Sequence, residues 1–341
     1  MGRVGCWRRT TGPPSDAGAQ DDRSTTTADE VPHMRIGEPD HLLRVVLRQP
    51  HPESGERMIE AKIIADSISP KGDRLTTIEC KFPRFILPEV NTHRMISKSA
   101  KSSRAIPLSD RIAEVREHPY VPIHWGKSQK GMVAESELDM LVQLEAESVW
   151  REAAQAAADY AEYLGKLKLH KQTASRILEP YIWQVNVMSS TDFGWKNLIK
   201  LRDHPDAQPE FRELAKKIRI ALDDSRPKKV AYGQMHLPYI SDEDLKEFGI
   251  YKCQKASVAR VARTSYGNQG GWNIQEDLNL ERRLFSANPR HDAPYEMPAC
   301  PSSDNDVPGN YQGWSQLRHN LDWQIKRMRE LKNDSDKATR V

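Results

Sequence analysis

Residues 134–169 constrain the fold most strongly, because they contain no proline and only one late glycine, Gly165. Leu138, Leu141, Leu144 and Trp150 recur at the spacing of one apolar face of an amphipathic helix. A helix of this length must bury a face against other elements. The segment therefore predicts a long helix that ends near Gly165 and packs through these large side chains.

Residues 58–64 and 75–82 alternate between apolar and polar side chains, which is typical of strands. Residues 69–74 between them form a turn, so the two segments predict a β-hairpin. In the second strand one face carries Ile78, Cys80 and Phe82, and the other carries Thr77, Glu79 and Lys81.

Further helices are predicted at 170–180, 195–202, 209–222, 253–266 and 313–332. The third places Phe211, Leu214, Ile218 and Leu222 on one face, and Ser241 opens a capping signature ahead of the fourth. The fourth directs Val258, Val261 and Ala262 inward, and residues 286–313 read as a loop. The predicted class is α+β (mixed α/β), an antiparallel sheet flanked by long helices.

The amino-acid composition and net charge argue against several classes of protein. Lys and Arg number 51 against 48 Asp and Glu, so the net charge of +3 disfavours a general nucleic-acid binder. No apolar run is long enough to span a membrane. The four cysteines are scattered, which indicates neither a zinc site nor a disulfide framework and favours a reducing, cytoplasmic location.

Residues 1–57 differ from the rest and are predicted to be a disordered tail, or a mis-started extension ahead of Met58. A transit peptide would also suit its arginines, but its acidic residues argue against one. Residues 58–341 are then the folded domain.

Residues 91–107 gather serines and cations without an acidic residue. Two groups stand out, the adjacent pair His93 and Arg94 and the run Ser102, Ser103 and Arg104. Arginine and serine suit a phosphate cradle, although a solvated basic loop has the same composition. Neither a P-loop nor a dinucleotide-binding glycine pattern is present.

Three other sites carry candidate residues. Arg176 and Arg202 each lie near a predicted helix end, where an arginine commonly faces the helix dipole. His291 and Glu296 bracket a proline loop and suit either acid–base chemistry or a capped turn.

Several of these segments together resemble the flavin-dependent thymidylate synthases. Thr-His-Arg at 92–94, followed by seven residues and Ser102, is similar to the R-H-R-x7-S signature of that family. SRILEP resembles its A-R-x-x-L-P element, and WKNLIKLR resembles the segment around its asparagine and substrate arginine. SVARVARTSYGNQG and HDAPYEM resemble its A-R-x-S-Y-G and H-x-x-P-F-E-H elements. The last two follow the signature instead of preceding it, so the chain resembles a circularly permuted member.

The resemblance implies methylation of deoxyuridylate (dUMP) to dTMP, with FAD as cofactor and NADPH and methylenetetrahydrofolate as co-substrates, in a homotetramer. By similarity Arg202 is catalytic and also binds substrate. The other implied substrate residues are Ser102, Ser103, Arg104 and Arg176. The implied FAD-binding residues are His93, Arg94, Ser99, Asn197, His291 and Glu296.

The sequence departs from the signature at Thr92, Ser99, Ala100 and Ala105, and Met297 stands where a histidine is usual. These departures keep a related pyrimidine-nucleotide one-carbon transferase with a changed product open. A nucleic-acid-binding module that uses the KSAKSSR segment, and a flavin-binding relative without catalysis, are also compatible with the sequence.

Overall fold

A five-stranded sheet in the order β3-β4-β2-β1-β5 forms the centre of the protein. The computed structural model describes residues 58–267, 270–304 and 309–321. The strands of the sheet are β1 (Glu60–Ile68), β2 (Arg74–Pro83), β3 (Ser97–Ala100), β4 (Trp183–Thr191) and β5 (Lys228–Lys229). Adjacent strands are antiparallel except for the short β5, which runs parallel to β1. A second sheet pairs β6 (Ala299–Pro301) with β7 (Trp314–Gln316).

The helices surround this sheet, and the mixed α/β class predicted from the sequence is confirmed. They are α1 (Leu87–Thr92), α2 (Leu108–Glu117), α3 (Met140–Lys166), α4 (Lys171–Ala174), α5 (Asp192–Arg202), α6 (Pro209–Asp224), α7 (Asp242–Arg263) and α8 (Ile274–Ser286). Short 3-10 helices cover Arg84–Ile86, Ser175–Tyr181, Thr264–Tyr266 and Ala293–Glu296.

The predicted hairpin forms between β1 and β2, and one face of it carries the main core. Ile78, Cys80 and Phe82 are fully buried there, as the alternation predicts. They pack in one cluster with Phe211 and Ile218 of α6, which confirms the predicted apolar face of that helix. Burial of this face is the main source of stability for the sheet.

The opposite face of the sheet is also covered, although it carries polar side chains. Thr77 lies 2.5 Å from the hydroxyl of Ser189 and 2.8 Å from Nε2 of His236, and both contacts are buried. His236 also bonds to Ser67 through Nδ1 at 2.8 Å. Through His236, the segment between α6 and α7 is hydrogen-bonded to the sheet, and the buried polar groups have partners.

The predicted apolar face of the long helix is wrong at Leu141 and Leu144, whereas Trp150 is partly buried and its Nε1 donates to the Tyr120 carbonyl at 2.8 Å. Leu141 is 74 % exposed and Leu144 49 % exposed, whereas Ala154, Ala158 and Ala161 are completely buried. The alanines pack against α2 and the 3-10 helix after α4. Small side chains allow the backbones to approach closely, so the buried stripe is not the one with the largest residues. The helix also begins at Met140, later than predicted.

Other boundaries differ from the prediction. The helix predicted at 170–180 is a single turn, α4, followed by a 3-10 helix that contains Pro180. The segment predicted as a last helix begins instead as strand β7, and residues 317–321 are helical. Ser241 accepts from the Asp244 amide and completes the predicted capping box of α7. The predicted tail, residues 1–57, lies outside the described residues.

None of the helices in the described part of the chain is long and apolar enough to cross a lipid bilayer.

Candidate functional site

The short edge strand β3 organises the candidate site. Within the described ranges it pairs with β4 alone, with Ser97 opposite Ser189 and Ala100 opposite Asn186. His93 lies just before this strand and Ser102 just after it. Four residues of extended chain span about 13 Å, so the two halves of the 91–107 segment occupy opposite ends of β3.

At the first end, Arg202 at the C-terminus of α5 reaches the segment after α1. Its Nε donates to Nε2 of His93 at 3.0 Å, and its Nη1 donates to Glu89 at 3.2 Å. Nη2 lies 3.5 Å from the Thr92 hydroxyl. The guanidinium carbon is 4.7 Å from the centre of the Phe211 ring, a cation–π contact. Four groups from two helices and a loop therefore fix the orientation of Arg202.

His93 supports Arg202 as a neutral ring. Only 7 % of the residue is exposed, and this burial, with the nearby cations Arg202 and Lys98, lowers its pKa to about 4. Because Nε2 accepts from Arg202, the proton of the neutral ring lies on Nδ1. The ring also packs edge-on against Phe211, with centroids 5.5 Å apart.

Lys98 of β3 connects this end to the HDAPYEM loop. Its Nζ donates to the carbonyls of His93 at 2.6 Å and Ile96 at 2.9 Å. Burial lowers the pKa of Lys98 to about 8, against the raising effect of the Glu296 carboxylate. Glu296 in turn accepts from Arg318 Nη1 at 2.5 Å. The Glu296 carboxylate is thus engaged by cations, while His291 lies exposed at the other end of the loop.

At the second end of β3, the segment after α7 packs against the serine-rich loop. The Ser102 amide donates to the Ser265 carbonyl at 3.0 Å, and Ser99 Oγ donates to the Val261 carbonyl at 3.4 Å. A Cβ at Gly267 would lie 3.3 Å from Lys101 Cε, and this glycine has a φ of +70°. Residues distant in sequence therefore meet at the loop that carries Ser102, Ser103 and Arg104.

Arg176 approaches the same loop through a chain of polar contacts. Its Nη1 donates to Glu179 Oε1 at 2.6 Å, and the same oxygen lies 3.5 Å from Arg84 Nη2. Arg84 Nη1 donates to Gln184 Oε1 at 2.5 Å, and Gln184 Nε2 donates to the Lys101 carbonyl at 3.1 Å. Arg176 therefore belongs to the Ser102 end and not to the Arg202 end.

The predicted site residues divide accordingly. His93, Arg202 and Glu296 gather at the first end, whereas Ser99, Ser102 and Arg176 contact elements at the second. Ser103 is buried, and Arg104 is exposed with its amide donating to Ser102 Oγ at 3.3 Å. The remaining predicted residues have exposed side chains: Arg94, Asn197 and His291.

Several residues of the site escape sequence reasoning. Glu89, Lys98 and Phe211 surround His93 and Arg202, and Arg84, Glu179 and Gln184 surround Arg176. Glu89 and Lys98 lie within a few residues of His93, so proximity in sequence is a usable signal for them. Arg84 and Gln184 meet only through the pairing of β2 with β4, which the sequence does not reveal.

Comparison with known proteins gives one extensive match. A family model described as "Thymidylate synthase complementing protein" matches residues 38–228, more than half of the 341-residue chain. The match contains β1 to α6 and ends before the segments at 259–267 and 291–296. A search of the curated proteins finds no match.

Two solved structures illustrate the similarity. The UMP/dUMP methylase PolB from Streptomyces cacaoi, bound with 5-Br UMP, is 15 % identical with a TM-score of 0.40, covering 49 % of this chain and 89 % of that chain. The flavin dependent thymidylate synthase ThyX from Helicobacter pylori, complexed with FAD and dUMP, is 21 % identical with a TM-score of 0.30, covering 43 % and 67 %.

Proposed function

The chain belongs to the family of the thymidylate synthase complementing protein and is a flavin-dependent methyltransferase; on this premise we propose that it converts dUMP to dTMP. Methylenetetrahydrofolate supplies the carbon and NADPH the reducing equivalents in this proposal. The observation that carries it is the constrained Arg202 beside a neutral His93.

Arg202 is suited to stabilise negative charge that develops on a uracil ring. Its side chain is 24 % exposed, so solvent and ligand reach it. Within the described residues, contacts to His93, Glu89 and Thr92 engage at most three of its five N–H groups. The remaining donors are held in a fixed direction by the stacked Phe211 ring. Donors oriented before reaction stabilise charge without reorganisation, which is the physical basis of this catalytic role.

The residues proposed to hold FAD fit an anionic, aromatic cofactor. The exposed Arg94, next to His93 in sequence, and the exposed Asn197, on the same helix as Arg202, offer hydrogen-bond donors to such a cofactor. The neutral His93 adds a flat ring without a like charge that would compete with Arg202. FAD, when bound, supplies the redox chemistry, and the protein binds and orients it. Ser99 stays a proposed FAD-binding residue, because its hydroxyl donates to the Val261 carbonyl and can still accept a hydrogen bond.

The nucleotide is proposed to extend toward Ser102, Ser103, Arg104 and Arg176. The exposed Arg104 and the half-exposed Arg176 are cations that a phosphate can reach. A nucleic-acid-binding role for the KSAKSSR segment receives little support. Lys98 and Lys101 are turned to carbonyls and to Glu114, and Ser99 and Ser103 are buried.

We further propose a homotetramer in the cytoplasm. Exposed apolar side chains on the first half of α3, such as Leu141 and Leu144, support association with further copies. The free thiols of Cys80, Cys253 and Cys300 are compatible with a reducing compartment.

The decisive experiment combines binding and turnover. Purified protein is incubated with FAD, and tritium release from [5-³H]dUMP is measured with NADPH and methylenetetrahydrofolate. We expect the absorbance of bound flavin, and tritium release that depends on FAD, NADPH and methylenetetrahydrofolate. Release without flavin, or flavin binding without release from any uracil nucleotide, would contradict the proposal.

The second candidate is a related one-carbon transfer that yields a different product. Thr92 stands in place of the first arginine of the signature, and its hydroxyl lies beside Arg202. Mass analysis of the nucleotide product, with dUMP and UMP as parallel substrates, separates the two candidates.

A further inference from the structure

Four cations and two carboxylates, Arg176 among them, lie in two ion-paired sets on either side of Arg84, and we call them the Arg176 cluster. Its members are Arg84, Lys101, Arg111, Arg176, Glu114 and Glu179. At neutral pH the cations exceed the carboxylates by two charges. Arg111 is 1 % exposed, and its Nη1 pairs with Glu114 at 2.7 Å. An excess of positive charge around partly buried groups favours the binding of an anion.

The pKa values of two of these cations reflect the excess of positive charge. Burial lowers the pKa of both Arg84 and Lys101, and the nearby Arg111 lowers both further, while Glu179 and Glu114 act in the opposite direction. Two buried polar atoms, Ser175 Oγ and Asn186 Nδ2, have no hydrogen-bond partner among the described residues. Ser175 adjoins Arg176, and Asn186 accepts from Gln184. Arg111 Nε, within the cluster, is likewise buried without a hydrogen-bond partner among the described residues, so that part of the protein satisfies the cluster incompletely.

Glu179 occupies the position between two guanidinium groups. One carboxylate oxygen lies 2.6 Å from Arg176 Nη1 and 3.5 Å from Arg84 Nη2. Two converging arginines around one oxygen resemble the way proteins hold a phosphate. The glutamate side chain is 30 % exposed and Arg176 50 % exposed, so a ligand from solvent reaches the bridge. Glu179 stands where the A-R-x-x-L-P pattern has leucine.

We propose that Arg84 and Arg176 together bind the phosphate of the substrate nucleotide, and that Glu179 occupies this anion site until the nucleotide displaces it. This inference rests on the proposed function for the identity of the nucleotide. Arg84 is then a substrate-binding residue outside the motifs, held in place by Gln184 Oε1. Glu179 is an internal competitor that lowers affinity for the nucleotide.

Isothermal titration of the FAD-loaded protein with dUMP and with deoxyuridine, which lacks the phosphate, tests the site. Arg84→Ala should weaken dUMP binding roughly tenfold to hundredfold, as expected for a lost hydrogen bond to a charged group. Deoxyuridine binding should not change. Glu179→Gln should tighten dUMP binding about twofold to fivefold, because it removes a partly exposed competing charge.

The matched control is Arg116→Ala. It removes an arginine of α2 that pairs with two carboxylates of α3, Asp159 and Glu162. It should leave both affinities unchanged. Arg84→Lys keeps the charge and should give an intermediate loss for dUMP, which separates an effect on the phosphate from an effect on folding. Equal losses for dUMP and deoxyuridine in Arg84→Ala, or weaker dUMP binding in Glu179→Gln, would overturn the proposal.

Inorganic phosphate separates this inference from the proposed function. If dUMP does not bind the parent protein, the proposed substrate is wrong, but the anion site remains testable by ³¹P line broadening of phosphate. Broadening that Arg84→Ala abolishes and Arg116→Ala preserves supports the site. Broadening that is absent, or equal in both variants, overturns it.

Discussion

At the scale of single residues, the candidate site is held together by pairs far apart in sequence. Arg202 and His93 are separated by 109 positions, and Arg202 and Glu89 by 113. The histidine is neutral because it is buried beside cations, and the arginine is oriented because the histidine is neutral. Each side chain therefore has its chemical role only in the presence of the other.

Arg202→Ala is expected to lower the turnover number about 10²-fold to 10³-fold, because it removes an oriented donor from the developing charge. Tritium release at saturating dUMP measures the effect, and flavin absorbance per protein reports cofactor loading. Arg219→Ala is the control and should leave turnover unchanged. Arg219 is a half-exposed arginine of α6 that pairs with Asp203. Turnover that survives in Arg202→Ala would contradict a catalytic role.

The pH dependence of stability should carry the signature of His93. Its folded pKa, about 4, lies below the ordinary value of 6.5. The unfolded chain therefore takes up the proton first, so stability is complete above about pH 6.5 and declines as pH falls toward 4. Between pH 7 and pH 5 the loss is on the order of 2 kcal/mol. The buried His236, with a pKa lowered to about 3, contributes with the same sign.

Urea unfolding at the two pH values measures this loss, and His93→Gln should reduce the difference between them by roughly 2 kcal/mol. His204→Gln, in the exposed loop after α5, is the matched control. An unchanged pH difference in His93→Gln would show that folding does not lower the pKa of His93.

At the scale of elements, the sequence is informative where large apolar residues meet a sheet. The prediction of the apolar face of α6 is correct, because Phe211, Leu214 and Ile218 pack against β2. The stripe of α3 is wrong because helix contacts there are close and select alanine, and no propensity distinguishes a buried alanine from an exposed one. The candidate residues His93, Arg176 and Arg202 follow from motif resemblance, but the contact between Arg84 and Gln184 required the tertiary structure.

Ala158→Leu should destabilise the protein by about 1–3 kcal/mol, because three added carbons have no space between α3 and its neighbours. Ala158 is fully buried, whereas Leu141 on the same helix is 74 % exposed. Chemical unfolding measures the change, with Ala153→Leu, at an exposed alanine of the same helix, as the control. An unfolding midpoint equal to that of the parent protein would mean that the space between α3 and its neighbours at Ala158 admits a leucine.

At the scale of the whole molecule, family membership accounts for the part of the chain from β1 to α6. The segments at 259–267 and 291–296 lie outside this match, yet they pack against the two ends of β3. Circular permutation remains a prediction. The large exposed side chains on α3 and the preceding loop have no partner element in the described part of the chain, including Met132, Met140 and Leu144.

A double variant, Leu141→Glu with Leu144→Glu, should shift the assembly toward single chains, because charge on this face opposes its burial in an interface. Light scattering coupled to gel filtration measures the mass. Ile220→Glu, at a 49 % exposed isoleucine on α6, is the control and should leave the mass unchanged. A parent protein that elutes as one chain would contradict the proposed homotetramer.

The order of contacts around β3 has a consequence for the growing polypeptide. The hairpin, Arg176 and Arg202 leave the ribosome before the residues that lie against β3, such as Ser265 and Glu296. Domains acquire their structure as synthesis proceeds from the N-terminus. A nascent chain that has reached residue 228 thus has strands β1 to β4 but lacks Ser265, which accepts from the Ser102 amide, and Glu296, whose carboxylate acts on Lys98. Synthesis itself therefore delays completion of the contacts around β3 until the segment from Ser265 to Glu296 has emerged.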